Sequence, residues 1–111
     1  MDPVTSEAAL IERLFQAWER WPRPEAKFAV ETVLDREHGR FLLLTVGWDG
    51  PQRIYSVLVH VDLIDGKLWI QRDSTEEGFA RELVAAGVPP SRIVLGFYPE
   101  AVRPYGEFAV Q

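Results

Sequence analysis

The spacing of hydrophobic residues changes from helical to strand-like along the chain. Between positions 10 and 21 apolar residues recur every three or four positions, which predicts an amphipathic helix. This helix should start near Thr5 or Ser6 and end before Pro22. Alternating apolar and polar residues then predict four β-strands, at 28–35, 41–48, 53–64 and 67–73.

Short turn motifs separate these strands. Glu37-His38-Gly39 is typical of a hairpin loop with its glycine in the left-handed conformation. Asp49 to Gln52 predicts a second turn, and Asp65-Gly66 is a strong signal for a two-residue hairpin. Consecutive hairpins of this kind predict an antiparallel meander.

A second helix is expected to begin at Ser74, where Ser74 and Glu77 form a candidate capping box, and to end at Gly87. A last strand is predicted at 93–98. The whole chain, 1–111, is therefore interpreted as one α+β domain in the order α-β-β-β-β-α-β. Its antiparallel meander of four to five strands should carry both helices on one face.

The register of the Asp65-Gly66 hairpin predicts which sheet face is open. It places Asp62 opposite Trp69 and His60 opposite Gln71. The helices should then cover Val57, Val59, Val61, Leu63, Leu68 and Ile70. The opposite face is the predicted partner-binding surface, and its residues are Thr45, Ile54, Ser56, Leu58, His60, Asp62, Trp69 and Gln71.

Four tryptophans refine this prediction. Trp18 and Trp21 lie on the apolar stripe of the first helix and are expected in the core or at its edge. Trp48 shares its strand parity with Leu44 and Val46, and all three are expected on the core side of the sheet. Trp69 lies among polar residues, a position that suits an interface; packing under the C-terminal tail of its own chain is the alternative.

The amino-acid composition limits the classes of function that this chain can have. The 111 residues are 47% hydrophobic and 12% aromatic, which predicts a folded globular domain. There is no cysteine, so disulfides and thiol chemistry are excluded. The segment 1–7 has no apolar core of a secretory signal and no stretch is long enough to span a membrane, so a cytoplasmic location is expected. A net charge of −5 disfavours autonomous nucleic-acid binding.

The chemical motifs are sparse, and no cofactor or catalytic residue is predicted. His60 and Asp62 share one strand face and could orient a general base or hold a metal, but a surface hydrogen-bonded pair is favoured. Asp73 lies in an acidic run at the predicted helix start, where the helix dipole already favours carboxylates. A metal-dependent hydrolase or nuclease that uses His60, Asp62 and Asp73 is therefore kept as the alternative function.

Ordered sequence blocks carry a resemblance to a known family. They are VGW at 46–48, RIY at 53–55, HVD at 60–62, DGKLWIQ at 65–71, DSTEEG at 73–78, ELV at 82–84, GVP at 87–89, IVLGF at 93–97, RPY at 103–105 and FAV at 108–110. The series closely resembles the XisI-like family, the controlling factors for excision of the fdxN DNA element in cyanobacteria and related bacteria. The acidic Glu107 is a departure confined to the tail.

The resemblance implies a small α+β fold and a regulatory role in site-specific DNA excision. It also implies a companion protein, XisH, which is nuclease-like and with which an antitoxin-like pairing is expected. The family supplies no catalytic residues. The predicted function is thus a non-enzymatic factor that binds an XisH-like protein, and self-association is a second expected use of the open face.

Overall fold

The computed structural model describes residues 3–111, with side chains from Ser6 onward. Two α-helices and five strands account for most of it. They are α1 (Pro3–Arg20), β1 (Phe28–Asp35), β2 (Arg40–Asp49), β3 (Gln52–Ile64), β4 (Lys67–Asp73), α2 (Phe79–Ala85) and β5 (Ile93–Leu95), with two short 3₁₀ turns at Pro90–Arg92 and Arg103–Tyr105. The predicted α+β class and element order are confirmed.

The five strands form one sheet in the order β1-β2-β3-β4-β5. The first three pairings are antiparallel, as tight hairpins require, but β5 lies parallel to β4. The prediction of a purely antiparallel sheet was therefore wrong at this one edge. The reason is topological: α2 crosses the sheet between β4 and β5 and returns the chain to the end at which β4 began.

Both helices pack on one face of the sheet, as predicted. Phe15 of α1 and Phe79 of α2 meet edge to face, with ring centroids 5.2 Å apart. The sheet side of this core comes from fully buried residues of four strands: Phe41, Leu43, Val59, Val61, Leu68, Ile70 and Ile93. Within residues 3–111 no helix has the length and apolar character of a membrane span.

The two tryptophans of the first apolar stripe lie in different environments. Trp18 is half-buried at the edge of the core, as predicted, and packs against its cluster. Trp21 lies beyond the end of α1 and is 71% exposed, so its assignment to the core was wrong. The helix ends at Arg20, and the periodicity that linked Trp21 to the stripe stops with it.

A β-bulge in β3 decides which side chains face the helices. Leu43 pairs with Val59 and Leu44 pairs with Val57, which leaves Leu58 as an extra residue in β3. Because side chains alternate across a strand, one extra residue exchanges the two faces. Val59 therefore faces the core as predicted, whereas Val57 faces away from it.

This exchange corrects several predicted positions. Thr45 is buried on the helix-covered side, where its hydroxyl lies 2.7 Å from that of Ser56. Ile54 pairs with Gly47 on that same side. Trp48, by contrast, lies on the outer side and is 57% exposed. The prediction carried the β3–β4 register past Leu58 without an interruption, which put all of these residues on the wrong faces.

A second bulge lies in β4. Asp62 pairs with Trp69 as predicted, but His60 pairs with Arg72 instead of Gln71. The Asp65-Gly66 turn does have positive φ at both residues, 49° and 79°. The turn therefore fixed the register correctly only as far as Val61, after which the extra residue Gln71 shifts it.

Asp73, and not Ser74, organises the start of α2. The helix begins at Phe79, five residues later than predicted, and the Phe79 N–H donates to the Asp73 carboxylate over 2.6 Å. The same carboxylate accepts from the backbone N–H and the hydroxyl of Thr75. At the other end, Gly87 has φ 106°, and the N–H groups of Gly87 and Val88 close the predicted C-cap.

Replacing Asp73 with alanine should destabilise the protein by about 1–2 kcal/mol, because it removes the acceptor of all three hydrogen bonds. Replacing the neighbouring Ser74 with alanine should change the free energy of unfolding by less than about 0.5 kcal/mol. Urea denaturation of the two variants measures the difference. A larger loss at Ser74 than at Asp73 would contradict this account of the cap.

Candidate protein-binding surfaces

The side of the sheet turned away from the helices carries an apolar surface on β1, β2 and β3. We call it the outer face. Its residues are Val33, Leu42, Leu44, Val46, Trp48, Tyr55 and Val57. Val33, Trp48 and Tyr55 are 45%, 57% and 63% exposed, and the other four are partly exposed. A sheet face that remains in water usually carries polar residues, so this surface has the composition of a covered one.

Charged groups lie at the two ends of the outer face. At one end Arg53 stacks over Trp48 and Tyr55, with its guanidinium carbon 5.0 and 5.9 Å from the ring centroids. At the other end Asp62 pairs across the strands with Arg40. The centre between these two ends is aliphatic.

The histidine–aspartate pair belongs to the polar end. His60 Nε2 lies 2.8 Å from Asp62, and Gln71 donates to the second carboxylate oxygen over 3.3 Å. His60 and Asp62 lie on the outer side as predicted, and both are partly buried. Their hydrogen bonds have the form of the surface network that was favoured over a catalytic one.

The C-terminal tail covers the β4–β5 part of the same side of the sheet. The Arg103 guanidinium lies 5.1 Å from the centroid of Trp69 and donates to the carbonyl oxygens of Tyr98 and Val110. The N–H of Ala109 donates to Ile93, which ties the tail to the sheet edge. Trp69 therefore lies under its own tail, which was the alternative reading, and the accessible surface is displaced toward β1–β3.

Of the remaining predicted site residues, Thr45, Ile54 and Ser56 lie on the helix side of the sheet. Leu58 occupies the bulge and packs partly against the core cluster. None of these four belongs to the outer face. The apolar run FLLL at 41–44 was a signal for the apolar outer face, because a strand with apolar residues at both parities is typically covered on both sides.

The alternative metal site is not assembled. Asp73 pairs with Val59 and turns toward the helix side, where it caps α2, whereas His60 and Asp62 lie on the opposite side of the sheet. In the described part of the chain, no three histidine or carboxylate side chains are grouped to hold a metal ion. The hypothesis of a site formed by His60, Asp62 and Asp73 is therefore wrong in its geometry.

A second surface lies on the helix side, between the end of α1 and the start of α2. Two adjoining depressions, of about 310 and 560 Å³, share Trp18 and Glu82. We call them together the helix groove. It is lined by Ala17, Trp18, Trp21, Arg23, Thr75, Glu76, Glu77, Gly78, Arg81, Glu82 and Ala85. Two indoles, three carboxylates and the guanidinium groups of Arg23 and Arg81 line it, so it is aromatic with a small excess of negative charge.

Glu82 is the most constrained carboxylate of the helix groove. Trp18 Nε1–H donates to both of its oxygens, over 3.1 and 3.0 Å. Burial raises the pKa of Glu82, and the negative charges of Asp73 and Glu77 raise that pKa further, against the lowering effect of the Trp18 hydrogen bond. The groove thus presents a carboxylate that a positively charged partner would stabilise.

A family model described as XisI protein matches residues 1–110. The chain belongs to the XisI protein family. No curated protein sequence matches it.

Two solved structures show the same fold as this XisI family member. A XisI-like protein from Anabaena variabilis is 32% identical, with a TM-score of 0.88 over 97% of this chain and 99% of that one. The fdxN element excision controlling factor XisI from the same organism is 27% identical, with a TM-score of 0.83 over 99% of this chain and 100% of that one. The predicted family resemblance is confirmed.

The raised pKa of Glu82 gives a prediction for stability against pH. A carboxyl group whose pKa is higher in the folded state costs stability as pH rises from its ordinary value of 4.5 through its folded value. The Glu82→Gln variant keeps an acceptor for Trp18 and loses the charge. It should gain stability over the parent at pH 7, by only a few tenths of a kcal/mol, on the order expected for a partly exposed group. The gain should shrink as pH falls toward 4.5, and thermal melts at a series of pH values measure it. A gain that grows on acidification would contradict the assigned direction.

Proposed function

We propose that this chain is a non-enzymatic controlling factor for excision of a DNA element, and that it acts by binding an XisH-like protein. The observation that carries the role is agreement over nearly the whole length of both chains with the fdxN element excision controlling factor of Anabaena variabilis. Membership of the XisI family supports the same role. The family and the solved structure support the excision role, and binding to an XisH-like protein is what the proposal adds to it.

The charges of the helix groove favour binding of a basic partner. A protein that handles DNA carries a positively charged surface, and this chain has a net charge of −5. Glu76 and Glu77 are exposed, and they lie beside Glu82 and the indole of Trp18. Arg23 and Arg81 offset part of the negative charge of the groove, but the exposed pair Glu76 and Glu77 complements arginine and lysine side chains. A groove of this kind can cover a surface that would otherwise contact phosphates.

The polar pair on the sheet favours binding over catalysis. The hydrogen bonds of Asp62 to His60 and Gln71 hold its carboxylate within the sheet surface. Asp73 is held by the helix cap on the opposite side. The carboxylates considered for an enzyme, Asp62 and Asp73, thus have structural partners within the fold.

Charge reversal in the helix groove tests the proposed contact. We expect the double variant Glu76→Lys and Glu77→Lys to bind an XisH-like protein on the order of tenfold more weakly, with reduced dependence on salt. The control is Glu100→Lys with Glu107→Lys, which makes the same change in net charge at two exposed tail positions. Affinity is measured by titration calorimetry at two salt concentrations.

Equal losses in the two double variants would show that only net charge matters and would overturn the assignment to the groove. Absence of binding by the parent protein would overturn the XisH-like partner itself.

A further inference from the structure

We propose that the outer face is the contact surface of a symmetric homodimer. Two copies would pack sheet against sheet, with a two-fold axis that runs across the strands at Leu44 and Val57. The dimer involves this chain alone and goes beyond the excision role. It can therefore be tested in the absence of an XisH-like partner. It follows from two observations, the apolar composition of the outer face and the position of its charges.

The composition of the outer face favours burial against another sheet. Neighbouring strands place Leu42, Leu44, Val46 and Val57 side by side, with Trp48 and Tyr55 exposed beside them. Two sheets that pack face to face interdigitate aliphatic and aromatic residues of this kind at a spacing of about 10 Å. A standard interface takes about 800 Å² from each partner, so a dimer of this kind would use the whole three-stranded face, its charged ends included.

The charged residues at the two ends of the outer face make it complementary to the outer face of a second copy. Arg40 and Trp48 are each four residues from Leu44 along β2, and they pair on β3 with Asp62 and Arg53. One end of the face therefore presents Arg40 and Asp62, and the other end presents Trp48 and Arg53. The aliphatic centre lies midway between them.

A two-fold axis across the strands at Leu44 brings one end of one copy onto the opposite end of the other. Arg53 then meets Asp62, so that an ion pair forms twice. Arg40 lies near Trp48, whose ring already carries Arg53 of its own chain. An axis that runs along β2 would instead place Arg40 against Arg40. Like charges across an interface are costly, and this excludes an axis on β2.

One unfavourable pair follows from the selected axis. Glu31 of β1 pairs with Leu44 and would therefore meet its own copy. Glu31 is exposed on an edge strand, where water and salt screen the repulsion between two carboxylates. The aliphatic centre contains no such pair.

Sedimentation velocity of the full chain tests the dimer. The protein should sediment at twice its 12.7 kDa mass at micromolar concentration. The Leu44→Glu variant should sediment as a folded monomer, with folding checked by circular dichroism. The matched control is Val84→Glu, which puts the same charge at a partly exposed apolar position of α2 and should leave the dimer intact. A monomeric parent protein would overturn the proposal, as would a dimer that survives in Leu44→Glu.

A charge swap tests the axis. Arg53→Glu and Asp62→Arg should each weaken the dimer about tenfold, and the double variant should recover most of the loss. The two residues lie nine positions apart on one strand, or about 30 Å, so recovery can come only from a contact between copies. A dimer without recovery in the double variant would overturn the axis.

If a charge variant does not fold, Leu44→Cys gives the same information. The parent chain has no cysteine, so a short bismaleimide can join two copies only at this position. Efficient cross-linking is expected because Leu44 lies at the axis. A dimer that does not cross-link at Leu44, or one that cross-links equally through Leu43→Cys on the core side, would contradict the proposed arrangement.

Discussion

The bulge at Leu58 is the constraint on which the two faces of this sheet depend. One extra residue in β3 turns Val59 and Val61 toward the helices while Val57 and Tyr55 point the other way. Without it, the thirteen-residue strand would keep a single parity, and Val57 and Tyr55 would face the helices together with Val59 and Val61. With it, β2 continues through the sheet without interruption, and both the core and the outer face stay apolar along the length of that strand.

The C-terminal tail divides the outer side of the sheet. Arg103 holds the tail over Trp69 by one stacking contact and two backbone hydrogen bonds, and Val94 beneath it is fully buried. The tail thus covers β4 and β5 and leaves the outer face on β1, β2 and β3 accessible. The charged ends around the aliphatic centre then limit what fits, since a partner must meet Arg53 at one end and Asp62 at the other.

Local signals in the sequence were enough for the elements and most of the fold. The bounds of β1 and β4, the Asp65-Gly66 turn and the glycine cap of α2 were predicted correctly, because each depends on residues close together in the chain. The bulge at Leu58 was not predictable in this way. A bulge is set by how two strands pack on a common core, and a continuous alternation of apolar residues does not reveal it.

The same limit explains the errors in the candidate site. Thr45, Ile54 and Ser56 were placed on the open face because the hairpin register was extended through the bulge. The start of α2 was misplaced for a different reason. Asp73 accepts the Phe79 N–H from six residues away, a longer loop than the capping box that Ser74 and Glu77 indicated.

The central claim is that two separate surfaces serve two partners: the outer face a second copy, and the helix groove a basic protein. Native mass spectrometry of the chain purified in complex with an XisH-like protein tests it most directly. The account predicts that each complex contains two copies of this chain, and that Leu44→Glu reduces the number to one without loss of the partner. A complex with a single copy of the parent chain, from which Leu44→Glu releases the partner, would contradict it.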